Sequence, residues 1–120
     1  MENKKLKIYN EDNSDINEEI ISFCHQNFVI QNLKKELMRE FSSICSDLEK
    51  LLNKINEIFE NYFKNKVYSS IRFYRDNEDD HRNEIPVSVI CNMCMVCIVD
   101  NFKLIRTNLY SYCINQMYDK

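Results

Sequence analysis

The sequence predicts an all-α fold: a single-domain helical bundle of about six helices around a central apolar helix. Three observations support this prediction. The 120-residue chain contains no glycine and one proline, so tight primed turns and phosphate-binding loops lack their usual residue. Apolar residues recur at spacings of three and four along most of the chain. Residues 86–99 contain no charged side chain. We expect an N-terminal tail over residues 1–13 and one domain over residues 14–120.

The first helix is predicted to begin at Asp15 and to end near Asn32. Asp15 is a favourable N-cap residue, and Glu18 three positions later completes a capping-box pattern. The apolar residues that follow recur at helical spacing: Ile16, Ile20, Phe23, Cys24 and Phe28.

Residues 33–63 continue the helical pattern for longer than an ordinary globular helix, so a break is expected inside them. Ser46 and Glu49 form a second capping-box pattern, which puts the break near Cys45 and Ser46. A long coiled-coil hairpin arm is the alternative. Residues 67–74 fit either a strand or a short helix, and we favour the helix. Residues 76–84 are predicted to be a charged surface loop or a frayed helix end.

The central helix is predicted over residues 86–99, with Pro86 at the first helical position. Its apolar side chains point in nearly every direction around the axis, so we expect other helices to enclose it on all sides. At about 1.5 Å per residue it is too short to span a hydrocarbon layer of roughly 30 Å. The expected core residues of this helix are Val89, Ile90, Met93, Val96, Cys97 and Ile98.

The last helix is predicted over residues 102–118, after a link or kink at Asp100 and Asn101. It is apolar in two neighbouring sectors, more than a terminal helix needs for a single contact with the core. Either the second sector is partly covered or left as scattered exposed aromatics, or it forms an interface with a partner or a second copy of the chain. The first sector contains Ile105, Leu109, Tyr112 and Cys113, and the candidate interface contains Tyr110, Ile114, Met117 and Tyr118.

Cys91, Cys94 and Cys97 have the spacing that opens a bacterial iron–sulfur motif. The fourth position of that motif falls on Asn101 instead of cysteine, and residues three apart on a helix diverge by about 60°. We therefore interpret the three cysteines as structural thiols, with a metal or redox protein that uses them as an alternative function.

No catalytic constellation is apparent, and we expect a protein that is not an enzyme, with no metal site and no cofactor. Cys24 and His25 are adjacent and point in different directions on a helix, while His81 lies in the acidic segment. The carboxylates of residues 76–84 lack the calcium-loop pattern. The net charge of −3 and the dispersed basic residues do not support nucleic-acid binding.

The N-terminus lacks the apolar run of a signal peptide, and no segment reaches transmembrane length. We expect a soluble cytoplasmic protein with no membrane anchor. The six cysteines are then expected to be reduced thiols.

Three segments suggest a family: Lys35-Glu36-Leu37-Met38, Lys54-Ile55-Asn56-Glu57-Ile58 and Val89-Ile90-Cys91. In this order they resemble segments of the middle and central helices of the small poxvirus Bcl-like family, and the resemblance covers residues 16–118. It implies a Bcl-like domain over residues 14–120. It also implies a non-enzymatic viral protein in the host-cell cytoplasm that binds host signalling proteins and inhibits innate immune signalling through NF-κB or interferon.

Two departures bear on an alternative, an apoptosis inhibitor that binds pro-apoptotic amphipathic helices in a groove. The chain contains neither tryptophan nor glycine, so it cannot carry the Asn-Trp-Gly-Arg type of groove motif. It also ends in a polar segment where many apoptosis inhibitors of this kind carry an apolar anchor. The sequence therefore favours the signalling branch, with host signalling or cell-death proteins as partners and a homodimer through the terminal helix as a further prediction.

Overall fold

The computed structural model describes residues 5–7, 14–77 and 84–118, and the surroundings of the side chains within 17–73 and 86–118. The predicted all-α character is confirmed, with five helices in the described residues instead of about six. The helices are α1 (Ser14–His25), α2 (Phe28–Phe41), α3 (Leu48–Asn77), α4 (Val87–Asp100) and α5 (Phe102–Tyr118).

Two short strands, β1 (Lys5–Lys7) and β2 (Glu84–Pro86), pair in antiparallel register with Leu6 opposite Ile85. The sequence analysis predicted no element in residues 1–13, because three residues are too few to show a periodic pattern. Pro86 ends β2 and has extended backbone angles, φ −65° and ψ 134°. It therefore precedes the helix by one residue, and α4 begins at Val87 instead of Pro86.

The helix boundary that the sequence analysis places near Asn32 lies at Gln26 and Asn27 in the structure, between α1 and α2. The chain leaves the helical conformation at Asn27, whose side-chain oxygen accepts a hydrogen bond of 2.9 Å from the backbone N–H of Val29. Asparagine is a strong N-cap because it satisfies a backbone donor that the first turn leaves free. The prediction that one helix runs from Asp15 to Asn32 is therefore wrong, since the apolar spacing continued through a capping residue.

The predicted break near Cys45 and Ser46 is confirmed, since α2 ends at Phe41 and α3 begins at Leu48. The N-cap is Asp47 and not Ser46: the Asp47 carboxylate accepts a hydrogen bond of 3.1 Å from the backbone N–H of Lys50. Helix α3 then runs unbroken to Asn77, so residues 67–74 are helical but are not a separate helix. This continuity accounts for the lower helix count. The rest of the predicted charged loop, residues 78–83, lies outside the described residues.

Helix α3 is the central element of the bundle. It contacts each of the other four helices, and its 30 residues span about 45 Å of a molecule 55 Å long. Its buried apolar side chains follow one face from the first turn to the last: Leu51, Ile55, Ile58, Phe59, Phe63, Val67 and Ile71.

Helix α4 is not enclosed on all sides, and this expectation from the sequence is wrong. It packs one face on α1 and α3, while Val96, expected in the core, is 55% exposed. Of the other expected core residues, Ile90 and Ile98 are buried, whereas Val89, Met93 and Cys97 are half-buried. With α3 at the centre, the described neighbours of α4 lie on one side of it. The buried face consists of Val87, Ile90, Cys91, Cys94 and Ile98.

The predicted kink at Asp100 and Asn101 is confirmed, because α4 and α5 meet there at an angle of 63°. The Asn101 amide donates a hydrogen bond of 2.8 Å to the backbone oxygen of Cys97, which satisfies a carbonyl at the helix end. Within the described residues, no single helix has the length and hydropathy to cross a membrane. Only α4 and α5 taken together, across this bend, meet both criteria.

Candidate functional site

Helix α5 divides into the two sectors that the sequence predicts. Ile105, Leu109 and Cys113 are fully buried, so one sector joins the core. The candidate interface stays largely outside: Tyr110 is 51% exposed, Met117 56% and Tyr118 82%, whereas Ile114 is half-buried. At 100° per residue, Tyr110, Ile114 and Met117 lie within a sector of about 60° and therefore form one continuous face.

This face of α5 borders a groove opposite the end of α2 and the α2–α3 loop. A cavity of about 390 Å³ lies between Phe41, Ile44 and Tyr110, and a second of about 250 Å³ lies between Ile44, Cys45 and Met117. Because Ile44 lines both cavities, they adjoin one another. We call this surface, defined by Phe41, Ile44, Cys45, Tyr110 and Met117, the α2–α5 groove.

Two contacts between α2 and α5 hold the walls of the α2–α5 groove in place. The Phe41 and Tyr110 rings lie 6.4 Å apart between centroids at a tilt of 60°, within the range of a favourable edge-to-face pair. Arg106 donates to both carboxylate oxygens of Glu40, at 3.1 Å from Nε and through Nη2. The groove therefore has an aromatic edge formed by Phe41 and Tyr110. The positive charge of Arg106 and the negative charge of Glu40 lie beside it.

A second apolar surface runs along the outer face of α4. Val89, Met93 and Val96 follow one another at helical spacing, and Val99 beside them is 50% exposed. No charged side chain interrupts α4 before Asp100. Val89, Met93 and Val96 were expected to be core, but Val89 and Met93 are half-buried and Val96 is exposed.

Of the three central cysteines, Cys91 and Cys94 lie beside Cys24 of α1, whereas Cys97 is not part of this contact. The described residues contain six free cysteines, of which only Cys97 is not fully buried. Hydrogen bonding with the thiols of Cys91 and Cys94, reinforced by burial, raises the pKa of the Cys24 thiol, so this group from α1 is protonated at neutral pH. Among the described residues, no group of three or more histidine, cysteine or acidic side chains has metal-binding geometry.

The sequence analysis missed a buried lysine. Lys34 is 6% exposed and lies on the apolar face of α2, whose other buried residues are Ile30, Leu37 and Phe41. Its Nζ is 3.0 Å from Nδ1 of His25 and 5.7 Å from the centroid of the Phe59 ring. The helical spacing could have revealed its burial, since Lys34 lies four residues after Ile30 and three before Leu37 and therefore on the same face of α2.

Burial governs the titration of this pair. The pKa of His25 falls from 6.5 to about 4, first because the ring is desolvated and second because of the charge on Lys34. Desolvation also lowers the pKa of Lys34. The His25 ring packs at 5.4 Å from the Phe63 ring, which anchors α1 on α3. Neutral His25 therefore accepts a hydrogen bond from Lys34 at physiological pH.

Comparison of the chain with protein-family models, with curated proteins and with solved structures finds no match.

Proposed function

We propose that this chain is a non-enzymatic interaction protein that binds a host signalling protein through the α2–α5 groove and so inhibits innate immune signalling. The observation that carries the proposal is the exposure of Tyr110 and Met117, each more than half exposed, on a helix whose other face is fully buried. The resemblance of residues 35–38, 54–58 and 89–91 to poxvirus Bcl-like proteins supplies the class of partner, a component of an NF-κB or interferon pathway.

The chemistry of the α2–α5 groove suits protein binding better than turnover. Tyrosine, methionine and arginine are enriched in protein interfaces, where they provide large contact areas. The ring of Tyr110 is already packed on Phe41, so little side-chain freedom is lost when a partner covers it. Lys103 and Arg106 line the same cavity as Tyr110 and supply polar edges around the apolar centre.

The proposal is tested by reporter assays for NF-κB and interferon signalling in host cells, combined with binding measurements on the partner recovered by affinity purification. The test variant carries Tyr110→Asp and Met117→Asp, which place two carboxylates in the groove without removing a buried side chain. Phe28→Asp is the matched control, because Phe28 is also exposed but lies at the start of α2. We expect the double variant to lose inhibition and partner binding, and the control to retain both. Equal activity of all three proteins, or no inhibition by the wild type, would refute the proposal.

The same apolar face of α5 favours self-association as a second use. A homodimer through Tyr110, Ile114, Met117 and Tyr118 would bury the surface that the monomer exposes. Light scattering of the wild type beside the Tyr110→Asp, Met117→Asp variant tests this use. We expect twice the monomer mass for the wild type and the monomer mass for the variant; a monomeric wild type would contradict it.

A further inference from the structure

A cavity of about 680 Å³ lies between α1, α2 and α3, away from the α2–α5 groove. Lys34 and His25 line it, together with the amides of Gln31 and Asn56 and the charged side chains of Lys35 and Glu60. Its volume falls in the range of small-molecule sites in proteins. We call it the Lys34 cavity.

The Lys34 ammonium has unused hydrogen-bonding capacity in this cavity. It has three N–H groups, and among the described residues it makes one hydrogen bond, to Nδ1 of His25. An unused N–H group of a buried ammonium is unfavourable, so an acceptor that reached Lys34 would bind favourably.

The charge of Lys34 is also uncompensated. None of the ion pairs among the described residues includes Lys34, although it is more than nine-tenths buried. The Phe59 ring lies near the outer distance limit for a cation–π contact and provides only partial compensation. Burying an ammonium without a counter-charge costs several kcal/mol. Among the described residues no counter-charge offsets the desolvation free energy of Lys34, and a bound anion would offset it.

We propose that the Lys34 cavity binds a small monocarboxylate, whose carboxylate accepts hydrogen bonds from the Lys34 ammonium. The charges that line the cavity define this class. Lys35 and Glu60 offset each other, and Lys34 leaves one net positive charge, which matches a monoanion better than phosphate. The Asn56 amide lies beside Met38 and Leu52 in the lining, which suits a short substituent that carries a hydroxyl group, as in glycolate and lactate.

The first experiment titrates the protein at pH 7 with glycolate and lactate, with inorganic phosphate as a more highly charged anion and glycolamide as the neutral isostere of glycolate. Binding is followed by NMR of lysine labelled with ¹³C at Cε, which reports the environment and the pKa of Lys34 directly. We expect the carboxylates to shift the Lys34 signal at concentrations up to about 20 mM and to raise its pKa, because an anion favours the charged ammonium. Glycolamide should leave the signal unchanged.

The second experiment compares Lys34→Met with Lys64→Met by calorimetry and by the same titration. Lys34→Met removes the ammonium while a flexible apolar side chain fills the space of its stem, so the variant should remain folded by circular dichroism. Lys64→Met is the matched control, since Lys64 is exposed on α3 and is not one of the residues that line the Lys34 cavity. Carboxylate affinity should fall by roughly tenfold or more in the first variant and by less than about threefold in the second.

Three outcomes would overturn the inference. The first is no response of Lys34 to either carboxylate in the wild type, a measurement that does not depend on any variant. The second is an equal response to glycolate and glycolamide, which would remove the role of charge. The third is tighter binding of phosphate than of carboxylate, which would replace the proposed ligand class.

Discussion

Lys34 and His25 are polar residues packed against apolar side chains, and burial lowers the pKa of both groups. Most lysines of a small protein lie on its surface, where hydration supports the charge. Lys34 instead follows the buried face of α2, between Ile30 and Leu37. The result is a histidine that is neutral at physiological pH and an ammonium with no carboxylate partner among the described residues, both beside a cavity.

The lowered pKa of His25 predicts that stability decreases in mild acid. The unfolded chain protonates this ring near pH 6.5, whereas the folded protein does so only near pH 4. Between these values the unfolded state binds more protons, so the free energy of unfolding falls as the pH falls. The full loss is about 3 kcal/mol and is reached below pH 4.

Denaturant unfolding at several pH values from 4 to 7 measures this effect in the wild type and in His25→Gln. Glutamine retains a donor and an acceptor but does not titrate, and every other ionisable group is common to both proteins. We expect a smaller decrease in the stability of the variant over this interval. Equal decreases in the free energy of unfolding of the two proteins between pH 7 and pH 4 would contradict the lowered pKa of His25.

At the scale of secondary-structure elements, capping side chains decide where the helices begin. Asn27 separates α1 from α2, and Asp47 starts α3, although the apolar spacing alone favoured neither position. A cap matters because it satisfies backbone N–H groups that the first turn leaves without an acceptor. The apolar pattern shows which face of a helix is buried, and the caps determine its ends.

The Asp47 cap is tested against the cap that the sequence suggested. Asp47→Ala should lower the free energy of unfolding by about 1 kcal/mol, because Lys50 loses its acceptor at the start of α3. Ser46→Ala, one residue earlier, should change it by less than about 0.5 kcal/mol. Chemical denaturation measures both. A larger loss at Ser46 would restore the cap that the sequence analysis predicted.

The one-sided burial of α4 is tested by making the same substitution on its two faces. Val87 is 1% exposed and Val96 is 55% exposed, on opposite faces of one helix. Val87→Ala should cost about 2 kcal/mol through lost burial and a residual cavity. Val96→Ala should cost less than about 0.5 kcal/mol. Equal losses would mean that α4 is enclosed after all.

At the scale of the whole molecule, α3 organises the bundle because its 30 residues contact each of the other four helices. The remaining helices bury their apolar faces against it and against each other, and their outer faces remain as surface. This arrangement gives the exposed sectors of α4 and α5 and the two separate concave regions, the α2–α5 groove and the Lys34 cavity.

Thiol labelling tests this arrangement over the whole chain. Cys97 is half-buried and the other five cysteines are buried, so a small alkylating reagent should modify Cys97 first in the native protein. Burial raises the pKa of the Cys97 and Cys113 thiols, which slows both reactions at neutral pH. Mass spectrometry over time should show one faster site, absent in Cys97→Ser, and labelling of all six thiols only in denaturant. Equal rates at Cys91 and Cys97 in the native state would contradict the buried face of α4.

The sequence by itself determined the helical class, the break near Cys45, the kink at Asn101 and the two apolar sectors of α5. All of these follow from local chemistry: glycine content, spacing of apolar residues and turn-forming side chains. Only the tertiary structure decided that α3 and not α4 is central, that Val96 is exposed and that Lys34 is buried beside His25. Periodicity gives the direction of a side chain around its own helix, but whether a neighbour covers that direction depends on how the helices pack.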